Sequence, residues 1–78
     1  MTKFIVIELQ TSDSGAVGNI VTTYDEQPAA YSKYYTVLAA AAISAIPKHA
    51  AVLMTSEGYL MESRCFDRTE PEPEGGEQ

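Results

Sequence analysis

Cysteine and histidine occur once each, as Cys65 and His49, and tryptophan is absent. A single cysteine excludes an intramolecular disulfide, and one histidine beside one cysteine leaves no Cys/His set with zinc spacing. Basic residues are few, five Lys and Arg against eleven Asp and Glu, for a formal net charge of −6. Direct nucleic-acid binding needs clustered cations, so no nucleic-acid partner is expected. Long apolar runs are missing too. The longest, residues 37–43 (VLAAAAI), falls far short of the roughly 20 residues that cross a bilayer. The opening MTKFIVIELQ has neither the apolar length nor the small-residue cleavage site of a signal peptide. The expectation is a soluble, cytoplasmic chain with no membrane partner, no metal and no cofactor.

What is present is a small chain with an ordinary core composition. Its 78 residues are 45% hydrophobic, enough for one globular domain. A domain of this size buries only about 60% of the surface its unfolded chain exposes. Disulfides, metals and partner subunits are the usual reinforcements, and here only the third is open. The charge is unevenly placed. Residues 67–78 (DRTEPEPEGGEQ) hold five acids and one base, while the rest of the chain is nearly neutral. Alternating Glu and Pro followed by Gly-Gly cannot bury apolar surface, so the chain divides into a single domain, 1–66, and a disordered acidic tail, 67–78.

Along the domain, residues 3–10 (KFIVIELQ) read as a strand. Ile5, Ile7 and Leu9 lie on one face, and Phe4, Val6, Glu8 and Gln10 on the other. Residues 11–18 (TSDSGAVG) are a turn cluster, and 19–24 (NIVTTY) form the returning strand of a hairpin. Asp25 stands where a helix N-cap would, with Pro28 tolerated in the first turn and Pro47 as the stop. Between them 28–46 is a helix dominated by alanine and tyrosine. One apolar stripe runs through Tyr31, Tyr34, Leu38, Ala41 and Ala45, and a second through Tyr35, Ala39, Ile43 and Ile46. Two stripes predict burial on more than one side. Residues 48–55 (KHAAVLMT) and 59–66 (YLMESRCF) form a second hairpin around Ser56-Glu57-Gly58, whose glycine suits a type I turn with a bulge. The fold class is α+β: ββαββ, a four-stranded antiparallel-hairpin sheet with one long helix packed on one face. Strand order stays open.

One helix covers one face of a sheet. With Thr55 opposite Tyr59, the ladder sets His49 opposite Cys65. Phe4, Val6, Val52, Met54, Leu60 and Phe66 then fall on the uncovered face, as the expected interface with another copy or a partner. Three smaller features carry chemistry in outline only. His49 with Cys65 is the one base and nucleophile pair, without an orienting group or an oxyanion site, and a packing pair explains it better. Tyr31, Tyr34 and Tyr35 form a candidate ligand surface, although rings at such spacing more often pack on a core. The acidic tail reads first as a solubilising segment and second as an arm for a basic partner.

The stretches IELQTSDSGAVGNIVTTYD, YSKYYTVLAAAAISAIPKHAAVLM and EGYLMESRCFDR resemble small uncharacterised proteins of phages and prophages of gut Firmicutes, over residues 3–68. The resemblance implies a viral or mobile-element origin in a bacterial host cell and brings no activity or site residues with it. These residues support a non-enzymatic, oligomeric protein-binding module, a homodimer first. It would be phage-encoded and act on a host protein, for instance as a defence inhibitor. A structural or accessory virion component is the alternative. A nucleotide sponge at an oligomer seam is the third reading, which the near-neutral domain disfavours.

Overall fold

The computed structural model describes residues 1–68. The proposed tail beyond Arg68 lies outside them. Two hairpins flank a helix in the order β1 (Phe4–Thr11), β2 (Val17–Tyr24), α1 (Gln27–Ala42), β3 (Lys48–Thr55) and β4 (Leu60–Asp67). The four strands make one sheet ordered β2-β1-β3-β4, with every neighbouring pair antiparallel. The α+β, ββαββ expectation therefore holds, with the order now fixed. β1 and β3 are the central strands and β2 and β4 the edges. The helical crossover carries the chain from one edge over β1 to β3.

Turn chemistry sets both hairpins. In the first, Ser12 N–H donates to Ala16 O (2.9 Å) and Gly15 N–H to Ser12 O (2.9 Å), with Gly15 at φ 90°. In the second, Gly58 N–H donates to Thr55 O and Thr55 N–H to Tyr59 O, both at 2.9 Å, with Gly58 at φ 96°. Both glycines hold the left-handed region that side chains with a Cβ avoid.

The helix is shorter than its sequence suggests. It ends at Ala42 with Ile43 as the capping residue, four positions before 46. The Arg68 guanidinium accounts for much of this end. It donates from one nitrogen to Ala41 O and from the other to Ile46 O (3.1 Å), while Arg68 N–H donates to Pro47 O (2.6 Å). Carbonyls that a longer helix would satisfy internally are bound by a side chain arriving after β4. Asp67 continues β4 opposite Lys48. Asp67 and Arg68 are thus both tied to the folded part of the chain. At the other end Glu26, not Asp25, is the N-cap, without a side-chain bond. Asp25 pairs with Lys3 instead.

The core forms where α1 lies on the central strands. Ala30, Tyr34, Val37 and Ala41 face Val6, Ala51 and Leu53. Ala30, Ala41 and Ala51 are wholly buried, and their small size lets the helix axis approach the sheet closely. Burial on several sides does not occur. Tyr35 is 58% exposed and Ile43 88%, so the second stripe faces outward. Of the first, Tyr34 and Ala41 are buried and Tyr31 and Leu38 partly so, while Ala45 is exposed. Ala30 and Val37, in neither stripe, complete the packed side.

Candidate functional site

The register decides which side chains share a face. Val6 stands opposite Leu53 and Glu8 opposite Ala51. Since Val6, Ala51 and Leu53 are core residues under α1, the Phe4, Val6, Glu8, Gln10 side of β1 is the covered one. This reverses part of the expected interface. Val6 is 1% exposed, and Phe4 packs against the same core, so neither lies on the open face. Phe66 is also on the helix side, opposite His49, with the Arg64 guanidinium 4.8 Å from its ring centroid. Val52, Met54 and Leu60 remain on the open face, as expected. Phe4 and Val6 follow from the β1–β3 pairing, and Phe66 from an extra residue in β4. Thr55 does meet Tyr59, but a bulge between Leu53 and Met54 shifts the register, so that Leu60 opposes Met54 while Glu62 opposes Leu53. Met61 is the inserted position. Every β4 side chain after it changes side.

The open face is the larger feature. Ile5, Ile7 and Leu9 of β1 run down its middle, between Val21 of β2 and Val52 and Met54 of β3. No second layer of the described residues lies over them. Charge reaches this face only near its ends, where Lys48 and Asp67 are register partners and where Lys3 pairs with Asp25. Side chains on the two central strands shield each other sideways and are half-buried, whereas Val21 on the edge is 54% exposed. Four strands spaced about 4.8 Å apart, with about 3.3 Å of rise per residue over eight residues, present roughly 500 Å² in projection. A corrugated surface of that extent approaches the roughly 800 Å² per partner of an ordinary stable interface. A contiguous apolar patch of this extent often marks a contact surface.

On the covered side a polar cluster interrupts the core. His49 is 3% exposed, and its Nε2–H donates to Glu8 Oε2 at 2.6 Å. Gln10 Nε2 donates to the same oxygen at 3.0 Å. Burial pushes the Glu8 carboxyl upward. The hydrogen bonds from His49 and Gln10, with the positive charges of His49 and Lys33, outweigh it and hold the carboxyl below its ordinary 4.5. His49 Nδ1 has no hydrogen-bond partner among the described residues. The cluster pins the β1–β3 register: a slip by one residue would put Glu8 and His49 on opposite faces of the sheet and leave both polar groups without their partner. At this depth the imidazole is out of reach of a substrate. Cys65 is exposed on the other face, opposite Ala50, so the two do not meet as the unbulged ladder implied.

The three tyrosines stay together but do not form one surface. Tyr34 is 3% exposed and belongs to the core, where burial raises its phenol above the ordinary range. Tyr31 packs at the edge of the core and donates its hydroxyl to Glu62 (3.4 Å). Only Tyr35 stands largely in solvent, its ring 5.4 Å from that of Tyr34. A ligand resting here would meet one tyrosine face, not three. Elsewhere, an open cleft of about 520 Å³ lies between the β1–β2 turn and the segment after α1, lined among others by Gln10, Ser12, Asp13, Ile46 and Pro47. It depends on two loops meeting in space, which neither loop's sequence announces. Among the described residues no three His, Cys, Asp or Glu side chains gather as a metal site would require, and no helix is long and apolar enough to cross a membrane.

The residues that matter most on the open face, Ile5, Ile7 and Leu9, were grouped correctly by alternation and assigned to the wrong side. Glu8 with His49 was not foreseen at all. The signal was a lone acid in an apolar strand and a lone histidine in another, but pairing them requires the β1–β3 register. No family model matches the chain, and neither a curated protein nor a solved structure does.

Proposed function

We propose that this chain is a non-enzymatic, oligomeric protein-binding module in which the open sheet face packs on the same face of a second copy. One observation carries this reading: the apolar ridge of Ile5, Ile7, Leu9, Val52 and Met54, with nothing of the described residues over it. A face that is uncharged at its centre and approaches the area of an ordinary interface suits an isologous contact about a two-fold axis. Pairing would bring a small domain the additional buried area that disulfides or metals supply elsewhere.

In such an assembly the helix side faces outward, and Tyr35 and Ile43 are its exposed apolar contacts. That side is the surface on which a protein partner would dock, with Tyr35 as the anchor type that dominates many interfaces. The resemblance to phage and prophage proteins supplies the setting: the cytoplasm of a bacterial host, and a host protein as target. A structural role in a virion would show itself as large assemblies instead of a small closed one.

The test is a single charge at the centre of the ridge. Ile7→Lys, in a half-buried position away from the helix-side core, is expected to reduce the mass measured by light scattering while helical and strand circular dichroism persist. An unchanged mass would remove the sheet face as the contact.

A further inference from the structure

The two edges of the sheet are built differently. β4 carries Glu62, Arg64 and Asp67 and is kinked by the bulge at Met61. These are the devices by which natural sheets discourage strand addition. β2 has none of them. Its eight residues, VGNIVTTY, include no charge and no proline, and all eight pair with β1 in unbroken register. Every second residue of such an edge directs its N–H and C=O away from the sheet. The helix does not shelter it either, because Ile20, on the helix side, is 53% exposed, and Val17 and Val21, on the open side, are 59% and 54% exposed. An uncovered backbone edge and exposed apolar side chains on both faces coincide in β2.

We infer that β2 is a second self-association surface, pairing antiparallel with β2 of another copy to join two sheets into one of eight strands. The occupant follows from what the edge offers. A row of free backbone donors and acceptors is completed by an extended strand, and an uncharged strand meets its own copy without like-charge repulsion. A two-fold axis at Ile20 sets Ile20 against Ile20 on the helix side and Asn19 against Val21 on the open side, so side chains bare in one copy bury those of the next. The pairing is also continuous with the face contact proposed above, since Val17 and Val21 lie at the junction and two joined sheets offer one apolar face of double width. The axis of edge pairing stands perpendicular to the sheet and that of face packing lies within it. The two together close as a four-chain assembly with dihedral symmetry, in which neither the sheet face nor the β2 edge is left to propagate.

The four-chain form rests on the face reading, but the edge contact does not, and two substitutions separate them. Ile20→Lys places a charge on the helix side of β2 without touching the open face, and Ile7→Lys does the reverse. Sedimentation velocity on both variants and the natural sequence reads the masses, with thermal melting by circular dichroism to establish folding. The expected result is four chains for the natural sequence and two for each variant. A two-chain species broken by Ile20→Lys and not by Ile7→Lys supports the edge contact and overturns the face reading. A two-chain species broken only by Ile7→Lys overturns the edge contact and leaves the face reading standing. A single chain throughout overturns both.

Discussion

Glu8 and His49 show what one residue can decide. An acid in the middle of an apolar strand is costly unless something charged or hydrogen-bonding meets it, and here His49 and Gln10 do so at 2.6 and 3.0 Å. Removing one partner strands the other. Glu8→Ala is expected to cost about 3 kcal/mol of unfolding free energy, because it leaves a nearly buried imidazole without its acceptor. Urea denaturation at neutral pH checks this. The pH dependence has a definite sign. Glu8 titrates lower in the folded chain than in the unfolded one, so the unfolded state takes up its proton first as pH falls. The stabilisation is complete above the ordinary value of 4.5 and is lost as pH drops through the folded value. Glu8→Gln is expected to flatten that acid limb in melting curves taken between about pH 6 and 3. A slope identical to that of the natural sequence would mean that other carboxylates set it.

At the scale of elements, the hairpins were legible in the sequence and the ends of the helix were not. Turn chemistry is local: Gly15 and Gly58 lie within a few residues of the bonds they permit, and both take the positive φ for which glycine is suited. The helix boundary is a tertiary matter. Pro47 marks a stop, but the end at Ala42 coincides with an arginine 26 positions later in the chain, whose guanidinium binds Ala41 O and Ile46 O. Arg68→Ala is expected to cost about 1–2 kcal/mol and to speed hydrogen exchange around residues 43–47 more than elsewhere. Uniform exchange changes would deny Arg68 a local role. The β4 bulge was equally hidden. Strict alternation assigns a face to each residue of 59–66, but one inserted residue at Met61 exchanged the sides of Cys65 and Phe66 and separated Cys65 from His49. Alternation likewise grouped Ile5 with Ile7 and Leu9. Which of two amphipathic faces a helix covers depends on the pairing of Val6 with Leu53, a long-range fact.

The molecule as a whole is a two-layer structure with a third layer's worth of apolar surface. The helix side satisfies a core of small and aromatic residues and includes the polar cluster, while the side it leaves open is the more uniformly apolar one. That inversion places Phe4 and Val6 under the helix, the β4 bulge adds Phe66 to them, and Val52, Met54 and Leu60 stay on the open face. It also locates the mutational test at Ile7 instead of Val6. Val6→Lys would unfold the chain through its core, and loss of association would then say nothing about the face. The central claim is that the sheet of Ile5, Ile7 and Leu9 is covered by another copy. Sedimentation equilibrium of the purified chain across a hundredfold dilution into the low micromolar range tests it most directly. The account predicts a multiple of the chain mass that persists on dilution, and a folded species of single-chain mass at every concentration would contradict it.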